Sequence, residues 1–286
     1  MLPPEALLGE LRVGGSHAVV VMGALNASPE SFFAGSIHRD RDALVRAGVA
    51  MARAGALMLD VGARSTAPYR ETAIGEAEEA DRLGAAVEAL VAKVGLLVSA
   101  DTARLAPARA ALDAGATVLN DVTALADPDV ARLAAARGAG LLVMASPAAG
   151  VGVAPGTGPL ATVEAILTAA LQRARAAGVP DARVVLDPGI GFFRDGAVSW
   201  AVWDTTVLAG LAALVALGRP LCVGVSRKSF LGALTGRADP ADRLPASVAA
   251  TALAVLGGAA IVRTHDVAAT VDAVRVAERV RAVAHV

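Results

Sequence analysis

Eight short apolar runs punctuate the chain, at 17–25 (HAVVVMGAL), 56–61 (ALMLDV), 95–101 (GLLVSAD), 116–121 (ATVLND), 140–145 (GLLVMA), 183–187 (RVVLD), 220–226 (PLCVGVS) and 259–266 (AAIVRTHD). Each is nearly continuous in Val, Leu and Ile, the pattern of parallel strands covered on both faces. Between them lie segments of helical period with a charged face, at 40–54, 76–93, 104–114, 128–136, 162–177 and 267–283. Eight strand–helix units without a linker or a break in composition predict an α/β fold. Its form is one domain over residues 1–286, a single (β/α)8 TIM barrel. The runner-up is a doubly wound open sheet, which needs fewer strands or two halves about a switch point.

Composition narrows the partners. The 286 residues are 55% hydrophobic and only 3% aromatic, so the core must be built mainly of Ala, Val and Leu. A net charge of -1 with no basic block gives no footprint for nucleic acid or an anionic membrane, which leaves small molecules as the expected partners. The single cysteine, Cys222, forms no internal disulfide and agrees with a reducing, cytoplasmic setting. The start, MLPPEALLGE, lacks the basic and apolar regions of a signal peptide, and the charge-free stretch 247–262 is too short and glycine-broken to span a membrane. A soluble protein is expected.

The polar residues fall where a barrel builds its active site, at the C-terminal ends of the strands. They are Asn26, Asp60, Asp101, Asn120, Asp187, Ser226 with Lys228, and Arg263 with His265. Singly, each also suits a helix cap or a turn, and Asp60 is read as structural. Together they converge on one mouth. Asp101, Asn120 and Asp187 supply acceptors and donors for a flat heterocycle with an amidine-like edge, since a carboxylate accepts two parallel N–H bonds. Lys228, Arg263 and His265 instead offer cationic or donor groups to phosphate.

Six blocks then carry a family resemblance. MGALNASPESFF, LDVGARSTAP, SADTARLAPARAALDAGATVLNDV, VVLDPGIGF, GVSRKSFLG and AAIVRTHDV resemble, in order and from Val19 to Val267, the blocks of dihydropteroate synthases. The resemblance implies a transferase that joins 6-hydroxymethyl-7,8-dihydropterin diphosphate to 4-aminobenzoate with loss of diphosphate, in folate biosynthesis. It further implies that Asp101, Asn120, Asp187 and Lys228 hold the pterin and that Arg263 and His265 grip the diphosphate. Asn26 would help to hold Mg²⁺ there, while Thr66, Pro68, Ser226 and Ser229 would face the arylamine. Of these, Asp101, Lys228, Arg263 and His265 are the expected catalytic set. The family is commonly dimeric, and the apolar segments 199–217 and 240–256 are candidates for the contact between subunits.

Two blocks depart from the pattern. Arg64 and Ala67 stand where the family carries an acidic residue and an Arg, and Ala145 stands where it commonly has a His. Both changed loops are expected on the acceptor side of the pocket. LNASPESFF and GARSTAP are similar to the branch that makes tetrahydromethanopterin, whose acceptor is a ribofuranosylaminobenzene 5′-phosphate. Arg64, Arg70 or Arg194 would then meet its phosphate. The pterin-binding domain of corrinoid methyltransferases resembles some blocks too, but it has no use for a diphosphate grip.

Overall fold

A computed structural model describes residues 4–27, 41–64, 74–194, 196 and 198–284. The chain begins with an antiparallel pair, β1 (Glu5–Leu8) and β2 (Leu11–Gly14). It then alternates strand and helix: β3 (Val20–Asn26), α1 (Arg41–Arg53), β4 (Met58–Gly62), α2 (Glu76–Val94), β5 (Leu97–Asp101), α3 (Leu105–Asp113), β6 (Val118–Asp121), α4 (Pro128–Arg137), β7 (Gly140–Met144) and α5 (Pro159–Ala176). There follow β8 (Val184–Asp187), α6 (Trp200–Ala209), α7 (Leu211–Val215), β9 (Leu221–Gly224), α8 (Ser229–Thr235), α9 (Leu244–Leu256), β10 (Ala259–Thr264) and α10 (Val267–Ala284). Strands β3 to β10 pair in parallel and close, β10 lying between β9 and β3. This is the expected (β/α)8 barrel, and each expected run overlaps one of its strands, with β3 and β4 each ending one residue beyond the run.

The strands are apolar on both sides because both sides are buried. Leu59 and Val61, Val98 and Ala100, and Leu141 and Val143 face outward into the layer of helices. The alternate residues Met22, Met58, Val118, Leu142, Val185, Cys222 and Ile261 fill the barrel interior. The β1–β2 hairpin closes that interior from the N-terminal end, where Leu8 and Val13 join the same cluster, both fully buried. Gly140 makes room for Leu8, whose Cδ2 would lie 2.6 Å from a Cβ at that position. The interior is thus a packed plug, and above it the inward positions turn polar.

Helix limits follow local chemistry. Asp127 caps α4 by accepting the Asp129 N–H at 2.9 Å, and Pro128 follows at the first turn, where its missing N–H costs nothing. The apolar segment 199–217 is not one helix: it breaks at Gly210, which packs against Leu160 of α5. Segment 240–256 opens with a 3-10 turn, Pro240–Arg243, before α9. Among the described residues no helix is long and apolar enough to cross a membrane.

Candidate active site

The inward positions of β3 to β10 above the plug are Ala24, Asp60, Ser99, Asp101, Asn120, Met144, Asp187, Gly224 and Arg263, so strand periodicity alone aims one acid or amide after another into the mouth. A cleft there is lined by Asp101, Asn120, Asp187, Lys228, Arg263, His265 and Ser226, together with Val122, Met144 and Phe192. Seven residues expected at the site from sequence therefore share one pocket. Asn26 ends β3, one inward step above Ala24 and beside the β10 loop. Thr66, Pro68 and Arg70 lie outside the described residues, as does Ala67.

The floor of the cleft is an ion network. Arg263 donates from Nε to Asp60 Oδ2 at 2.7 Å and from Nη2 to Asp101 Oδ2 at 3.2 Å. Asn120 Nδ2 donates to the same Asp60 oxygen at 3.1 Å. Asp60, fully buried, is thus the anchor of the two groups that sequence assigned to opposite ends of the ligand. Its place at a strand end was visible in the sequence, but not its partners. Burial, then the negative charge of Asp60, pushes the Asp101 carboxyl up to about 7, with Arg263 opposing. Burial works against the Arg263 cation, yet Asp60 and Asp101 outweigh it and raise its pKa, so Arg263 stays charged. Asp101 Oδ1 is buried with no hydrogen-bond partner among the described residues, an acceptor or hydroxyl ready for a ligand.

On the opposite wall Asp187 ends β8 and accepts the Gly189 N–H on Oδ1 at 2.7 Å. Gly189 has φ 69°, and a Cβ on it would lie 1.8 Å from the Ala145 carbonyl oxygen. Gly191 has φ 90°, and a Cβ there would meet Lys228 Cδ at 2.8 Å. Only glycine allows the loop to pass this close to Ala145 and Lys228. Lys228 Nζ donates to the Ile190 carbonyl and sits 5.0 Å from the centroid of the Phe192 ring. Burial raises the Asp187 carboxyl and lowers the Lys228 ammonium, while each resists the other's shift. A residue not expected here, Asp204 of α6, holds the loop from behind by accepting the Gly191 N–H at 2.7 Å. It is fully buried and is the lone charge in its helix, the signal that could have marked it.

His265 faces the Ala24 carbonyl through Nδ1 at 3.3 Å. Burial, then the Arg263 charge, lowers its pKa to about 4, so the imidazole is neutral at pH 7 in the protein alone. Ser226 Oγ accepts the His265 N–H at 3.2 Å, and Ser229 Oγ accepts from Arg194 Nη2 at 2.7 Å. Arg194 also donates to the Gly191 carbonyl at 3.0 Å and lies 4.8 Å over Trp200, which places it on the β8 loop. At the rim, Arg64 Nε lies 3.3 Å from Glu79 Oε2, an oxygen shared with Arg104 at 3.1 Å. Two guanidinium groups thus share one buried carboxylate.

Ala145 does not point its side chain into the cleft. Its N–H donates to the Asp187 carbonyl at 2.9 Å and its side chain is fully buried in the outer core, because an odd step from Met144 turns it away from the mouth.

Residues 22–265 match the family model described as pterin binding enzyme. Dihydropteroate synthase from Mycobacterium leprae is 41% identical over 268 residues, 90% of this chain and 92% of that protein. A probable bifunctional folylpolyglutamate synthase/dihydropteroate synthase of Haloferax volcanii is 42% identical over 265 residues, of which this chain covers 92% of its own length but only 30% of the relative's. Among solved structures, the dihydropteroate synthase of Xanthomonas albilineans with 4-aminobenzoic acid superposes with a TM-score of 0.86 at 36% identity, over 98% of this chain and 99% of that one. A cleft of acids and amides facing Arg263 and His265, together with a family match that spans nearly the whole barrel, places the chain among the pterin-binding enzymes, in the dihydropteroate synthase family.

Proposed function

We propose that this protein is a dihydropteroate synthase, a transferase that joins 6-hydroxymethyl-7,8-dihydropterin diphosphate to the amine of 4-aminobenzoate in folate biosynthesis. The observation that carries the reading is the single cleft in which Asp101, Asn120 and Asp187 face Lys228, Arg263 and His265. The acids and the amide suit the donor edge of an aminopyrimidinone ring, Lys228 on the Asp187 wall suits the acceptor atoms of that ring, and Arg263 and His265 suit the diphosphate at its other end. The amine nitrogen attacks the methylene carbon, the carbon–oxygen bond breaks, diphosphate leaves with the bonding pair, and the amine loses a proton to water. Negative charge grows on the leaving group, where Arg263 is held ready by Asp60 and Asp101.

Mg²⁺ fits this site as a companion of the diphosphate. Asn26 offers an amide oxygen one step above Ala24, next to His265, and magnesium needs few protein ligands when phosphate oxygens and water supply the rest. Bound there, the ion would neutralise charge on the departing diphosphate.

Ser226 and Ser229 flank Lys228 and would border the arylamine, with Thr66 and Pro68 from the β4 loop. A second reading keeps the reaction and changes the acceptor to a ribofuranosylaminobenzene 5′-phosphate of tetrahydromethanopterin biosynthesis. The two guanidinium groups of Arg64 and Arg104 gathered at Glu79 favour it, with Arg70 as a further candidate for that phosphate. A corrinoid methyltransferase role is disfavoured because it needs no diphosphate grip of the kind Arg263 and His265 suit. Exposed Val202, Leu253 and Leu256 on α6 and α9 suit burial in a homodimer, and a cytoplasmic setting suits the substrates.

Mass-resolved turnover with the dihydropterin diphosphate, Mg²⁺ and one acceptor per reaction tests the assignment. Product from 4-aminobenzoate supports the first reading; product from the ribosylated phosphate alone transfers the assignment to the second. No diphosphate release with either acceptor refutes both.

A further inference from the structure

Arg227 sits between Ser226 and Lys228 in the sequence, yet it does not line the cleft. Its backbone has φ 54°, in the left-handed region that non-glycine residues seldom occupy, and the residue is only 7% exposed. The side chain turns away from the mouth and forks onto Asp266, with Nε at 2.8 Å from Oδ2 and Nη2 at 2.7 Å from Oδ1. Nη1 donates to the carbonyls of Pro240 at 2.9 Å and Ala241 at 2.7 Å. The Arg227 N–H donates to Ser247 Oγ at 2.8 Å, and its carbonyl accepts from Arg243 Nη1 at 3.0 Å. Such a conformation persists because the surroundings over-determine it.

Its neighbours show what the reversal accomplishes. Ser226 reaches across to the His265 N–H, while Lys228 reaches the opposite way, to the Ile190 carbonyl on the β8 loop. Asp266 follows His265 directly. The Arg227–Asp266 fork therefore ties the loop that carries Lys228 to the loop that carries His265.

We propose that Arg227 and Asp266 are positioning residues that set the spacing of Lys228 from His265, and with it the placement of the pterin against its diphosphate. This rests on the reading above that those two residues hold opposite ends of one substrate. A bidentate guanidinium–carboxylate pair suits the task, because its planar fork fixes angle as well as distance, and lysine cannot reproduce it.

The test uses Asp266→Asn and Arg227→Lys in the whole chain. Steady-state turnover is measured with both substrates, and binding of inorganic diphosphate by calorimetry, each well below the melting temperature. Leu8→Ala, which thins the plug at the N-terminal end of the barrel, opposite the mouth, is the control for lost stability without a lost clamp. Both clamp variants are expected to lower kcat about 10–100-fold, the scale of a misplacement near 1 Å, with KM for the arylamine nearly unchanged and diphosphate bound more weakly. The double variant should lose little more than either single one. Folded clamp variants with kcat and diphosphate affinity within twofold of wild type overturn the proposal. So does Leu8→Ala losing as much activity at equal loss of stability. A wild-type enzyme without turnover refutes the assigned reaction instead, and the diphosphate affinities of the same variants still decide the clamp. Should Asp266→Asn not fold, Arg227→Lys carries the same comparison.

Discussion

Replacing Asp60 by Asn tests the floor of the site most directly. The substitution keeps size and one oxygen acceptor but removes the charge that Arg263 meets at 2.7 Å and converts a carboxylate that also serves Asn120 at 3.1 Å. Removing one partner of a buried ion pair typically costs about 3–5 kcal/mol, because the other charge is left uncompensated. Arg263 keeps Asp101 at 3.2 Å and its side chain is 24% exposed, so the lower end applies, about 3 kcal/mol. The same change relieves Asp101, whose pKa of about 7 owes part of its rise to the Asp60 charge. Urea unfolding near pH 7 should therefore show a lower midpoint with unchanged slope, while the Asp101 carboxyl, followed by carbon NMR, titrates below its wild-type value. A variant within about 0.5 kcal/mol of wild type, with Asp101 titrating as before, would refute the idea that Asp60 governs both groups.

Other outcomes follow from the same geometry. Gly189→Ala places a Cβ on the Ala145 carbonyl at φ 69°, and should displace the Asp187 loop, raising KM for the pterin substrate at least tenfold and lowering the melting temperature; an unaltered KM would contradict the tight passage. Asp101 has a native pKa raised to about 7, so the native state holds its proton longer than the unfolded chain, and the stability this contributes is full below about pH 4 and lost as pH rises through 7. Asp101→Asn should accordingly gain on wild type by on the order of 3–4 kcal/mol between those pH values, and parallel unfolding curves at both would dismiss it. His265 is depressed to about 4, so its contribution is present above about pH 6.5 and is lost as pH falls through 4; His265→Gln should flatten that acid limb. Diphosphate arriving beside this neutral imidazole favours its cation, so binding should take up protons near pH 6.5, measurable by calorimetry in buffers of different ionisation enthalpy, and zero uptake would count against the contact.

The barrel was legible because burying a strand on both faces leaves a nearly uninterrupted apolar run, and helices of clear period separate most of the eight runs. The hairpin β1–β2 was not, since four-residue strands are too short to carry a period, and only the open N-terminal end of the barrel gives Leu8 and Val13 something to fill. The break at Gly210 was hidden for a similar reason: it answers to Leu160, fifty positions away in sequence. Strand-end chemistry named Asp101, Asn120, Asp187, Lys228, Arg263 and His265, because closure of a parallel barrel carries every strand end to one mouth.

What sequence determined by itself was thus the kind of groups at the mouth and the end of the barrel on which they stand. Only the tertiary structure decided their pairing. Asp60 was read as a structural acid and proved to join Arg263 to Asn120, Asp204 reached Gly191 from a helix with no other charge, and Ala145 turned outward by the parity of its strand. Hydrogen bonds, ion pairs and pKa shifts depend on distances of a few ångströms between residues such as Asp60 and Arg263, 203 positions apart, and those distances exist only once the barrel has closed.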